Sequence, residues 1–280
     1  MADSSYQKFS NNDTDQTPKD VKLIDNGDGT YSIDVSTGLI SGGGVPKDVD
    51  RRLRIEGRNS DVSKSGEWVD IWEGPTDIIP EPNPLGETLV VVSSNANDTI
   101  AGSGSQIVQV LYLNTSEQLL AENVEMNGTT PVITTITNMT DVIDMLVIQT
   151  GSTGISQGDI DVIENGVGTV YNRIAAGGNK SQSTLRHLLP LSEFYLTGMT
   201  VSSSSKGLDV ALRSTSDDAG NVIDDVYIYQ VPLIVTDAPV YIPFNPAIFI
   251  PGHAKVKVSA RTSLSGTHKV ACLINGWVKI

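Results

Sequence analysis

The chain predicts an all-β fold: two β-sandwich modules of jelly-roll type behind an extended N-terminal arm. Three observations predict it. Short apolar runs recur from residue 88 to the C-terminus, several with strict two-residue alternation, and Gly, Asn, Ser or Pro separates them. Aromatics make up only 5% of the 280 residues while hydrophobic residues reach 39%, a balance that suits many short strands joined by tight turns better than a helical bundle. The first 20 residues are polar and lack periodicity, so they have no core of their own and must act as an arm.

Residues 1–60 read as an anchoring arm with a β-hairpin. In "VKLIDNGDGTYSIDV", Tyr31, Ile33 and Val35 alternate with Ser32 and Asp34, while Asn26-Gly27 and Asp28-Gly29 tolerate the positive φ of a hairpin turn. Asp25, Asn26 and Asp28 lack the further oxygen ligands and distal Glu of a calcium loop, so the segment reads as a turn. The arm closes on a cationic cluster in an acidic chain: Lys47, Arg51, Arg52, Arg54 and Arg58. A contact with an acidic neighbour is preferred there over a solvated face, because a docking arm gains from opposite charge.

Residues 61–87 form a Trp- and Pro-rich connector. Pro75, Pro80, Pro82 and Pro84 exclude a central strand or helix and leave an extended path. Trp68 and Trp72 have two readings, a lid on the next core or a pair of interface anchors. Residues 88–165 supply the first sandwich, through "TLVVVSS", "IVQVLYL", "ENVEM", "TPVITTI" and "DMLVIQT". One short helix stays open there, because Met139, Val142, Ile143 and Leu146 also fit a helical face. Residues 166–280 supply the second. Leu208, Val210 and Leu212 oppose Asp209 and Arg213, and Ala254, Val256, Val258 and Ala260 oppose Lys255, Lys257, Ser259 and Arg261. The last strand is expected to bury Cys272, Ile274 and Trp277.

Charge narrows the partners. With 19 Lys+Arg against 33 Asp+Glu the net charge is −14, which disfavours nucleic acid and anionic membrane surfaces. The single Cys272 excludes an internal disulfide and a multi-cysteine zinc site. The N-terminus has no apolar signal-peptide region, and no apolar run approaches the ~20 residues of a membrane span, so synthesis in a cytoplasm is expected.

The loop "SSNANDTIAGSGSQ" invites a chemical reading that its neighbours refuse. No lysine follows Gly102 or Gly104 as a phosphate-binding loop requires, a strand rather than a helix comes next, and Ser103 lacks a nucleophile-elbow spacing. It reads as a turn between strands. His187, His253 and His268 show no metal-ligand spacing, and Asp217-Asp218 with Asp224-Asp225 flank a hairpin tip. No catalytic residue, cofactor or metal site is expected, and the chain reads as a non-enzyme.

Four blocks in one order resemble a group of tailed-bacteriophage virion structural proteins. They are "RNSDVSKSGEWVDIWEG", "SSNANDTIAGSGSQIVQVLYL", "ENVEMNGTTPVITT" and "RIAAGGNKSQSTLRH", spanning about residues 58–190. The family positions fall on Asp61-Val62, Ile71 to Gly74, Ser93 to Gly104, and a hairpin from Glu122 to Val132. After Gly74 the chain departs from the pattern, with "PTDIIPEP" in place of an aromatic stretch, and residues 190–280 share only β character. The resemblance implies a structural role on the particle, of head-fibre, spike-base, decoration or tail-associated type, and the first reading is a protein exposed on the head or neck. Its partners would be capsid, neck or tail proteins, and it would self-associate as a trimer. A tail fibre or receptor-binding module for a bacterial surface glycan is the alternative. A glycan-cleaving enzyme, needing paired carboxylates in a groove, stands third.

Overall fold

The computed structural model describes residues 23–25, 31–33, 51–63, 66–135, 137–189, 192–204, 207–217, 220–223, 226–235 and 239–279. Lys47 and most of the arm lie outside the described residues. Every strand pairing described is antiparallel, and no helix occurs among the described residues. The chain divides into two units, residues 1–49 and 50–280. In the first, β1 (Leu23–Asp25) pairs with β2 (Tyr31–Ile33), Leu23 opposite Ile33 and Asp25 opposite Tyr31, as the Asn-Gly and Asp-Gly signals require.

The second unit opens with β3 (Arg51–Ser63) and β4 (Val69–Asp70). The chain then builds a complete sandwich from β5 (Leu89–Ser93), β6 (Ser105–Asn114), β7 (Leu119–Glu125), β8 (Val132–Ile133), β9 (Met139–Thr150), β10 (Ile160–Glu164) and β11 (Val170–Ile174). One sheet has the order β11-β10-β5-β8 and the other β7-β6-β9. Between them lie Leu89, Val91, Val108, Val110, Tyr112, Met145, Ile160 and Val162, all at most 1% exposed.

The chain then returns with β12 (Arg186–His187), β13 (Glu193–Ser203), β14 (Leu208–Ser214), β15 (Ile228–Val235), β16 (Val240–Ile250), β17 (Lys255–Thr262) and β18 (Thr267–Lys279). These form the sheets β12-β17-β14-β15, with β4 also on β17, and β16-β13-β18-β3. Their shared core holds Ile55, Ile71, Leu196, Met199, Leu208, Val210, Val258 and Ile274.

Two sandwiches are present, but their limits differ from the sequence reading. Residues 51–63 belong to no arm: β3 runs along β18 from Arg51 opposite Val278 to Ser63 opposite Thr267. Leu53, Ile55, Gly57 and Asn59 alternate inward while Arg52, Arg54 and Arg58 stand outward, a period of two that the cationic cluster masks. The 61–87 segment is likewise part of the second sandwich through β4 and Ile71, and β11 completes the first sandwich beyond residue 165. The first sandwich is thus an insertion between β4 and β12. Deleting residues 1–49 is expected to leave a folded body, while deleting 1–60 strips β18 of its partner and exposes the core beneath Ile55. Far-UV circular dichroism and urea unfolding of the two truncations check this.

The helix alternative over residues 139–146 is replaced by β9. Register shifts in its pairing with β6 move the buried side from Met139 and Asp141 to Val142 and then Met145. Of the four residues that fit a helical face, Met139 and Val142 are buried and Ile143 and Leu146 only half-buried, with Met145 buried instead.

Candidate functional site

The serine- and glycine-rich loop after β5 is a structural lock. The Asp98 carboxylate is wholly buried and accepts four hydrogen bonds. Ser105 N–H (2.7 Å) and Gln157 N–H (2.9 Å) reach Oδ1, while the Ser93 hydroxyl (2.6 Å) and Gly158 N–H (2.9 Å) reach Oδ2. One side chain therefore ties the β5–β6 loop to the β9–β10 loop. Backbone bonds add the 126–128 turn: Gly128 N–H donates to Asp98 O (2.7 Å) and Ser93 N–H to Gly128 O (3.1 Å). That turn is not a hairpin of β7 with β8. It carries the chain from one sheet to the other, since β7 pairs with β6 and β8 with β5.

Gly104 is required by close approach, because a Cβ there would stand 2.1 Å from Asp98 Oδ1. Gly104→Ala is expected to destabilise the protein by about 2–4 kcal/mol through displacement of the carboxylate from its donors, which urea unfolding would register.

The fourth block links the two sandwiches. Ser181 N–H donates to Met145 O (3.0 Å), and the Arg186 guanidinium donates to Ile143 O (2.7 Å) of the first sandwich. Thr184 N–H donates to Ile71 O (3.1 Å), while its hydroxyl accepts Val258 N–H (3.1 Å) in the second. Trp72 bridges to Ser183 beside this crossing. His187 Nδ1 meets Asp141 at 3.1 Å and His253 Nδ1 meets Glu117 at 3.2 Å, both across the same seam. His268 lies buried on β18. Among the described residues, no group of three His, Cys, Asp or Glu side chains is placed to hold a metal ion. Of the acidic tip, Asp217 accepts Asn221 N–H (2.7 Å); Asp218, Asp224 and Asp225 lie outside the described residues.

The two readings of the connector tryptophans separate. Trp72 is 1% exposed, with its indole N–H donating to Thr76 O (2.7 Å), so it closes the interior and offers no surface. Trp68 is half-buried beneath the Arg261 guanidinium, 4.7 Å from the ring centroid, with Arg213 at 6.0 Å. Between them Asp70, fully buried, accepts Lys257 Nζ (2.9 Å) and Ile79 N–H (3.0 Å) on Oδ2 and the Ser259 hydroxyl (2.7 Å) on Oδ1. Lys257 Nζ also sits 4.2 Å from the centroid of the Tyr227 ring. Burial, and then the Glu81 carboxylate that accepts its hydroxyl, push the Tyr227 phenol up. The connector is thereby fastened to the outer side of β17.

The arginines stand on the outer face of the β16-β13-β18-β3 sheet. Arg52, Arg54 and Arg58 are exposed there; the Arg51 side chain lies outside the described residues. Arg54 Nε pairs with Glu56 at 2.6 Å and Arg58 Nε with Glu73 at 2.5 Å, so two of the three are balanced within the chain.

Beside them runs an aromatic ladder. Register places Arg52 opposite Trp277, Trp277 opposite Tyr195, and Tyr195 opposite Phe249. Trp277 stacks on Tyr195 with centroids 3.9 Å apart, and Tyr195 meets Phe249 at 5.4 Å. Tyr195 donates to Glu193 (2.9 Å), and this bond, with Lys279, holds the Glu193 carboxyl below its usual range. The same environment, burial first and Glu193 second, raises the Tyr195 phenol.

Trp277 is therefore outward, not buried with Cys272 and Ile274. Its parity shows why: Cys272, Ile274, Gly276 and Val278 point inward, and odd positions point out. Parity within β18 was enough to put Trp277 on the outer face, against the expectation that it is buried. The grouping with Tyr195 and Phe249 depends on strand order, which no single strand carries.

No protein-family model matches the sequence, and no curated protein matches it. Among solved structures, the infectious bursal disease virus Gx strain is similar at 10% identity, covering 82% of this chain and 76% of that one, with a TM-score of 0.21. The VP2 subviral particle of infectious bursal disease virus is similar at 11% identity, with 84% and 73% covered and a TM-score of 0.21.

Proposed function

We propose that this chain is a structural, non-catalytic protein of a tailed-bacteriophage particle, exposed on the head or neck. Its N-terminal arm anchors it to capsid, neck or tail proteins, and it self-associates as a trimer. One observation carries the reading: the four blocks that resemble phage virion proteins carry the polar contacts that lock the first sandwich internally and tie it to the second. The second and third meet around Asp98, while the first and fourth meet at Ile71 and Thr184. What the resemblance marks is an architecture, and a body of two locked sandwiches suits a particle component. The anchoring role is tested with the deletion of residues 1–49, which keeps β3 in place. Particles assembled with this truncation are expected to lack the protein while its soluble body stays folded; undiminished incorporation would sink the anchoring role.

A further inference from the structure

Four of the fifteen aromatic residues of this aromatic-poor chain share the outer face of one sheet. Phe249, Tyr195 and Trp277 form the ladder, and Tyr241 stands on the same face further along, opposite Thr200. Tyr241 is 59% and Phe249 40% exposed. Isolated exposed aromatics are ordinary. A contiguous row ending in an arginine has the side-chain composition of a protein-interface centre.

We infer that this face is the docking surface for a second copy of the chain, an inference that rests on the self-association proposed above and gives it a location. Area supports a second copy. Four strands of 11 to 13 residues, at about 4.8 Å between strands and about 3.3 Å per residue, present roughly 700 Å². That is close to the ~800 Å² per partner of a standard stable interface.

Charge supports it too. The chain carries −14, so two copies repel over most of their surfaces. On this face Arg52, Arg54, Arg58, Lys269 and Lys279 stand against Glu56, Asp61, Glu193 and the Glu73 that pairs with Arg58, a near balance in a chain of −14. A second acidic copy is therefore repelled least here. Approach is face-on, since Pro243 and Pro246 remove backbone donors from β16 and blunt its edge against strand addition.

The test compares the full-length protein with Phe249→Asp, Tyr241→Asp and Arg52→Glu by light scattering and sedimentation across concentration and salt. These positions are exposed, so the variants should keep the circular dichroism and tryptophan emission of the parent. The parent is expected at about three times 29.8 kDa, and the variants at the monomer mass, or associating more than roughly tenfold more weakly. Arg52→Lys should retain association. Folded variants that keep the parent's mass overturn the location while leaving self-association standing. A parent that is monomeric at every concentration overturns both. Variants that keep the mass but lose adsorption to bacterial cells assign the ladder to a surface glycan, and also overturn the inference.

Discussion

Asp98→Ala is expected to lower stability by about 3–5 kcal/mol, a large share of what a domain has to lose. Three backbone N–H groups, from Ser105, Gln157 and Gly158, would lose a buried acceptor together with the Ser93 hydroxyl. Each stranded buried donor costs about 1–3 kcal/mol, and partial entry of water offsets some of the sum. Asp98→Asn should recover part of the loss. Its carboxamide keeps one acceptor but turns an NH₂ toward the Oδ2 donors, so about 2 kcal/mol remains lost.

The chain's own chromophores localise the effect. Trp68, Trp72 and Trp277 all belong to the second sandwich, so tryptophan emission reports that half alone. Urea unfolding of Asp98→Ala should show an early transition by circular dichroism that tryptophan emission follows only in part. A midpoint unchanged from the parent would mean that the four donors find other acceptors.

The all-β class was legible because alternation and turn residues are local signals. β14, β17 and β18 follow the period of two that their residues display. The domain limits were misread because pairing partners lie far apart in the chain. β3 joins β18 more than 200 residues later, and nothing local in "RRLRIEGRN" names that partner. Its arginines drew the reading toward an arm, although Leu53, Ile55 and Gly57 carried the alternation. In β9 the bulges broke the period of two, so no alternation opposed the helical reading.

The site was legible only in part. The arginine row was found by charge, but its neighbours Trp277, Tyr195 and Phe249 come from three different strands. Asp98 gave no signal at all, since an aspartate in a Ser- and Gly-rich loop looks like any turn residue.

The insertion of the first sandwich into the second explains where the polar locks fall. A chain that leaves a sheet after β4 and returns at β12 must hold both crossing strands in register where they pass. Thr184 donates to Ile71 O through both its N–H and its hydroxyl at that point, and Asp70 anchors the outgoing strand. Apolar packing is non-directional and fixes register poorly. Hydrogen bonds and ion pairs are directional, so buried polar groups at a crossing specify the one arrangement that satisfies them.

Lys257→Met tests that anchor and is expected to cost about 3–5 kcal/mol, because it leaves the Asp70 charge buried beside only the Ser259 hydroxyl and the Ile79 N–H. The double variant Asp70→Asn with Lys257→Met removes both charges. It should be at least about 2 kcal/mol more stable than Lys257→Met alone, since the main cost of breaking a buried pair is the charge left behind. Tryptophan emission in urea is the direct probe, as Trp68 and Trp72 flank Asp70 in the sequence. The midpoint of Lys257→Met should fall and that of the double variant should return most of the way. A single variant within about 0.5 kcal/mol of the parent would show that the connector is held by Trp72, Ile71 and Ile79 packing alone. In that case Asp70 contributes register at the crossing without contributing net stability.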